Sequence, residues 1–249
     1  MLLNLLTQIS SKDYFDFGPD AVSFASDAAF HGILLILPHL SLRALQFPAV
    51  CITFYNLLKD LIGTYPDKFM NLHGAAQTSL LQAIEFALDS AQSNICRAGL
   101  QVLKALADFA SDATNPTHPH PHPHPHPQSS GSHGTASVSK SNLVQALLPF
   151  QRKLVHMLLF GHMEMALLDP VSDALFPLIQ CHEDAFVALV MQFLSGQSDE
   201  DMRRRVREAF ENLAIGSNGT AVHSTPNRFR FRDVTRYFVE DLRAYLATK

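Results

Sequence analysis

Tryptophan is absent from this sequence, cysteine occurs only three times in 249 residues, and basic residues are outnumbered 19 to 23 by acidic ones. Each shortage removes a class of protein. A net charge of −4 lacks the basic balance expected of a DNA- or RNA-binding domain. Cys51, Cys96 and Cys181 are widely spaced, odd in number and form no CxxC pair, so neither a disulfide framework nor a zinc ribbon is expected. Free thiols in a reducing compartment are the expectation. The longest uncharged apolar run, "HGILLILPHLSL" at 31–42, is well short of the ~20 residues of a membrane-spanning helix. The opening "MLLNLLTQISSKD" has no basic leader region and no cleavage site, which points to cytosol or nucleus. In that setting the sequon at Asn218 reads as a polar loop.

The chemistry-bearing motifs are missing too. No HExxH, Walker, GxGxxG or GxSxG pattern occurs, and "DFG" at 16–18 lacks the loops that give it meaning in kinases. The loop "GSNGT" at 216–220 follows a helical stripe and reads as a helix stop. Histidines 31, 39, 73, 156, 162, 182 and 223 stand singly and read as satisfied or exposed, with His182, Glu183 and Asp184 forming a polar turn. The expectation is a non-enzyme with no catalytic, cofactor-binding or metal-binding residues.

What the sequence does have is apolar residues at helical period. Val50, Phe54, Leu57, Leu58, Leu61 and Ile62 form one stripe; Leu80, Leu81, Ile84, Ala87 and Leu88 form another. Gly99, Val102, Leu103, Leu106, Phe109 and Ala110 follow, and the longest stripe runs from Leu143 through Leu147, Leu154 and Leu158 to Leu159. Met202, Val206, Ala209, Phe210 and Leu213, then Phe231, Val234, Phe238, Leu242 and Tyr245, complete the series. The alternating "RFRFR" at 228–232 has no partner strand and reads as the entry to the last helix. Breaks at "YPDKF" (65–69), "NLHG" (71–74), "LLDP" (167–170) and "SGQSDED" (195–201) separate the stripes, with Asp199 placed to cap the helix that follows. The result is an all-α chain of about nine to eleven helices, roughly one hairpin per 40–47 residues, the spacing of HEAT or armadillo arrays. A compact helical bundle is the alternative architecture.

One segment breaks this pattern. Residues 113–139 hold six of the fourteen prolines, five of the thirteen histidines in an alternating His-Pro run, and almost no large apolar side chains. Such a composition cannot bury enough surface to offset its ordering entropy, so a flexible loop insertion is expected between helical regions 1–112 and 140–249. In a polyproline conformation residues two apart point about 240° apart, so the histidines do not share a face, and the tract reads as a tether. Deleting residues 115–135 is expected to leave helicity and melting temperature nearly unchanged. A loss of several degrees would show that the tract packs on the helices.

Two charge runs remain. "DEDMRRRVRE" (199–208) places acids at a helix N-terminus, where the macrodipole favours them, ahead of Arg203, Arg204, Arg205 and Arg207. Asp233, Arg236, Glu240 and Arg243 read as a ladder of alternating sign on a solvated face. The arginine cluster is also a candidate surface for an acidic partner.

The order of the segments carries more than their periods. "LLTQISSKDYFDF" (5–17), then "ILLILPHLSLRALQFPAVCITFYNLLKDLIGTYPDKF" (33–69), "ALFPLIQCHEDAFVALVMQFLSGQSDEDMRRRVREAFENLA" (174–214) and "FRDVTRYFVEDLRAYL" (231–246) resemble the C-terminal region of the exportin-4 family. These are nuclear transport receptors of the importin-β (karyopherin) superfamily. The resemblance implies an α-solenoid of HEAT hairpins with a C-terminal capping helix. It implies export of protein cargo bound together with Ran-GTP, contacts with nucleoporins, and shuttling between nucleus and cytoplasm. Receptors of that family are several times longer, with their principal Ran surface in N-terminal repeats, so the resemblance implies a fragment, a truncated gene model or a shortened paralogue. The His-Pro insertion departs from the family pattern. No partner-binding residue transfers from the resemblance. General solenoid geometry makes Lys59, Asp60, Lys104 and Asp108 candidates only, as polar positions on helices that would line a concave face. A helical scaffold for another multiprotein complex is the rival reading.

Overall fold

The computed structural model describes residues 3–7, 19–36, 45, 47–114, 133–161, 163–196, 199–217 and 225–246, and all of its structure is helical or loop. Eleven helices occur among these residues and no strand does. They are α1 (3–7), α2 (Pro19–Ile36), α3 (Pro48–Thr64), α4 (Pro66–Met70), α5 (Gly74–Leu88) and α6 (Ser93–Thr114). Then come α7 (His133–Phe160), α8 (Leu168–Cys181, entered through a 3-10 turn Met165–Leu167), α9 (Glu183–Ser195), α10 (Glu200–Ser217) and α11 (Thr225–Leu246). The chain forms two compact units that divide within α6, after Leu106. Of the described residues, those up to Leu106 and 133–139 belong to the first unit, and 107–114 with those from Lys140 onward to the second.

In the first unit the expected stripes are buried except at Val50 and Leu81, which are half-buried. Helix α3 starts with Pro48 in its first turn, where a missing N–H costs nothing, and buries Cys51, Phe54, Tyr55, Leu57, Leu58, Leu61 and Ile62. The Tyr55 hydroxyl is fully buried and donates to the Ala83 carbonyl of α5, and desolvation pushes its pKa well above the ordinary phenol value. Burial likewise pushes the Cys51 thiol up, away from reactivity. All three cysteines are free thiols. Helices α5 and α6 pack so closely that a Cβ on Gly99 would lie 2.5 Å from the Ala87 Cβ. The glycine in the α6 stripe is therefore a contact point between backbones. "YPDKF" is not a plain break, because Pro66–Met70 makes one short helical turn of its own.

In the second unit α8 is the central helix. It buries Leu168, Val171, Ser172, Ala174, Leu175, Phe176, Pro177, Leu178 and Ile179, so it is apolar nearly all round. Helices α9, α10 and α11 pack around it and each other. Phe210 of α10 sits among Phe186 and Phe193 of α9 and Phe238 of α11, with ring centroids at 5.9, 5.6 and 4.9 Å. Met202, Val206, Ala209, Phe210 and Leu213 are all buried, as their spacing predicts. On α11 the buried seam is Phe231, Thr235, Phe238, Val239 and Leu242, with Val234 only half-buried. Helix α7 runs through Pro149, which lies on the exposed side above exposed Gln145, where water can solvate the carbonyl that proline leaves unbonded.

Helical structure reaches into the expected insertion from both sides. Helix α6 extends through Thr114 and α7 begins at His133, and the His-Pro run itself lies outside the described residues. The same holds for "DFG", His39, His162, Asn218 and His223.

Candidate functional site

The polar side chains that converge in the second unit do so along α11. Arg228, Arg232 and Arg236 follow at i, i+4 and i+8, so they share one face of the helix. Arg228 Nη2 is 2.7 Å from Asp108 of α6, and only 13% and 16% of these side chains are exposed. Arg232 grips Asp173 of α8 with both arms of its fork, Nε at 2.7 Å and Nη2 at 2.5 Å. Arg236 lies 3.5 Å from Asp169, one turn earlier on α8. Ascending α11 therefore descends α8, and the two helices run antiparallel. The planar guanidinium suits this work better than a lysine would, since it presents paired donors in fixed geometry.

Pro177 adds a second link. Inside α8 it cannot donate to the Asp173 carbonyl four residues back, and Arg228 Nη1 donates to that carbonyl at 3.5 Å. The Arg228 guanidinium also lies 5.9 Å from the Phe176 ring, and Phe176 meets Phe231 at 5.0 Å. Hydrogen bonding to Asp173 raises the pKa of Arg232, so its charge is firmly fixed.

At the far end of α11, Arg243 caps α7. Its Nε donates to Leu158 O at 2.7 Å and its Nη2 to Met157 O and Gly161 O at 3.1 and 2.8 Å. A helix leaves its last carbonyls without partners, and a cation there also meets the negative end of the macrodipole. Burial pulls the Arg243 pKa below its usual value. This corrects the expectation of one solvated ladder: Asp233, Arg236 and Glu240 are exposed, whereas Arg243 is turned inward.

Other sequence-derived candidates divide similarly. Asp108 is engaged by Arg228, so it is not a free position for a partner. Lys59 and Asp60 pair with each other at 3.2 Å at the surface, and Lys104 is half-buried. Asp199 caps α10 as expected, its Oδ1 accepting from Asp201 N at 3.0 Å and Met202 N at 3.4 Å. Arg203 and Arg204 turn back onto Glu200 and Asp201 at 2.7 and 2.9 Å.

His182 overturns the reading of a polar turn. It is the single residue between α8 and α9, which bend by 109° there, and it is 7% exposed. Its carbonyl accepts from Phe186 N at 2.9 Å and from buried Gln151 Nε2 at 3.4 Å. The ring bonds to the Val144 backbone of α7, but Nε2 is buried with no hydrogen-bond partner. Desolvation lowers its pKa, against the Val144 bond that raises it. The folded state thus takes up this proton at lower pH than the unfolded chain, whose histidines titrate near ~6.5. Above that pH both states are neutral and the contribution to stability is complete. As pH falls below it, the unfolded chain is protonated first and stability declines until the folded value is passed. The melting temperature should therefore drop between pH 7.5 and 5.5, with a shallower slope in His182→Gln. Equal slopes in the two proteins would contradict this.

Among the described residues no three His, Cys, Asp or Glu side chains converge to hold a metal, and no single helix is long and apolar enough to cross a membrane. Arg228, Arg232, Arg236 and Arg243 of α11 tie that helix to its neighbours. The fold and site define an all-α protein whose last helix is fastened by arginine–carboxylate pairs. No family model matches the chain, and no solved structure matches it.

Proposed function

We propose that the chain is an α-solenoid of HEAT-type hairpins, the C-terminal portion of a nuclear export receptor that binds protein cargo together with Ran-GTP. One observation carries the reading: α3, α5, α6, α10 and α11 are amphipathic and each buries one apolar face, as the helices of a repeat array do. Of the segments that resemble the exportin-4 family, the described part of 33–69 falls largely on α2 to α4, 174–214 on α8 to α10 and 231–246 on α11, while most of 5–17 lies outside the described residues. Such a receptor works by shape and surface charge without catalysis or cofactor, meets nucleoporins in transit, and shuttles between nucleus and cytoplasm.

The native size of the protein tests this. An antibody raised against residues 115–135 should detect, in cell extract, a species several times larger than 27.6 kDa. A species of 27.6 kDa would remove the N-terminal repeats that the Ran-dependent reading requires.

A further inference from the structure

The outward face of α11 is built from Phe229, Arg230, Asp233, Tyr237, Glu240 and Asp241, all of them exposed. Two of its features do nothing for α11 itself. The first is charge order. Arginine stands near the N-terminal end and two acids toward the C-terminal end, the reverse of what the macrodipole favours. Arg228 and Arg232 break the same rule, but Asp108 and Asp173 account for them. Arg230, Glu240 and Asp241 have no ion-pair partner among the described residues.

The second feature is a pair of open rings, Phe229 at 57% exposure and Tyr237 at 72%. They are two turns apart on the same side of the helix. Phe229 is also held in place, since the Arg232 guanidinium lies 5.2 Å from its ring centroid and is itself fixed by Asp173. A pre-positioned aromatic ring beside an arginine is the composition of a protein-binding surface.

We propose that this face is the interface of a homodimer in which α11 packs against α11 of a second copy, antiparallel about a twofold axis. An isologous interface must complement itself under inversion, and this face does. Arg230 and Asp241 are three turns apart and within about 20° of each other around the helix. A twofold axis near residue 235 sets Arg230 of each copy against Glu240 and Asp241 of the other. The same operation brings Tyr237, whose hydroxyl can donate, opposite the Asp233 carboxylate. The reversed dipoles of the two helices also compensate each other. A partner of one charge sign would meet repulsion at one end of this face; an inverted copy meets attraction at both.

The face from Phe229 to Asp241 is about 18 Å long. One helix face of that length buries less than the ~1,600 Å² of a standard stable interface, so association is weak and salt-sensitive. The test is sedimentation equilibrium of the full chain at low salt, over a series reaching hundreds of micromolar. A concentration-dependent dimer is expected, weakened about tenfold by Arg230→Glu and by Tyr237→Ala. Both side chains are exposed, so the variants should keep wild-type helicity by circular dichroism. The triple variant Arg230→Glu/Glu240→Arg/Asp241→Arg should restore the dimer. A chain monomeric throughout overturns the proposal, as does a dimer indifferent to both single variants. Failure of the charge reversal to restore association overturns the antiparallel register.

Discussion

Phe210→Asp should unfold the second unit. Phe210 is 1% exposed and is the ring on which Phe186, Phe193 and Phe238 converge from two neighbouring helices. Removing a buried phenylalanine costs about 3–5 kcal/mol through lost transfer energy and the cavity left behind. A carboxylate in its place adds desolvation without a partner, which brings the loss close to the ~5–15 kcal/mol stability of a typical domain. Urea denaturation followed by circular dichroism should show the cooperative transition weakened or lost at room temperature. Leu147→Asp on α7, at a fully buried position, should be comparably severe. Midpoints equal to that of the wild type would mean that these helix faces are assigned wrongly.

Asp173→Ala should be the most damaging single change among the charged residues. It strands Arg232, which donates two hydrogen bonds to that carboxylate in a partly buried setting. A complete loss of a buried partner costs about 3–5 kcal/mol; the partial exposure here reduces that to roughly 1–3 kcal/mol. The Arg228 bond to the Asp173 main-chain carbonyl survives the substitution, so the ladder is weakened at one rung only. A double-mutant cycle with Arg232→Ala should return a positive coupling energy that resists added salt. Asp201→Asn, which breaks an exposed pair with Arg204, should change stability by under about 0.5 kcal/mol. If Asp173→Ala is as mild as Asp201→Asn, the ladder contributes nothing beyond an ordinary surface pair.

The helices were legible in the sequence because apolar period is a local signal. The stripes on α3, α5, α6 and α10 are the buried faces apart from half-buried Val50, Leu81 and Phe109, Asp199 is the cap, and "RFRFR" is helical because it continues the period of α11. The arginine ladder was not found, for a physical reason. Arg228, Arg232 and Arg236 have the right spacing, and so do Asp169 and Asp173, but the pairs lie 55 to 120 residues apart along the chain. Only packing says which faces meet. The spacing of Asp233, Arg236, Glu240 and Arg243 is equally regular, yet that face splits between solvent and the α7 terminus. His182 escaped notice because acidic neighbours suggest a surface turn. The bend between two well-packed helices drives its ring inward while Glu183 and Asp184 stay exposed. Pro177 likewise reads as a helix breaker and instead frees the carbonyl that Arg228 takes.

The central proposal is that these helices serve a Ran-regulated transport receptor rather than a helical scaffold for some other complex. The most direct measurement is capture of the native full-length protein on immobilised Ran, loaded with GTP or with GDP. The transport reading predicts retention on Ran-GTP together with protein cargo, and release when the nucleotide is GDP. Equal retention on both forms, or on neither, would contradict it and leave the scaffold as the function to pursue.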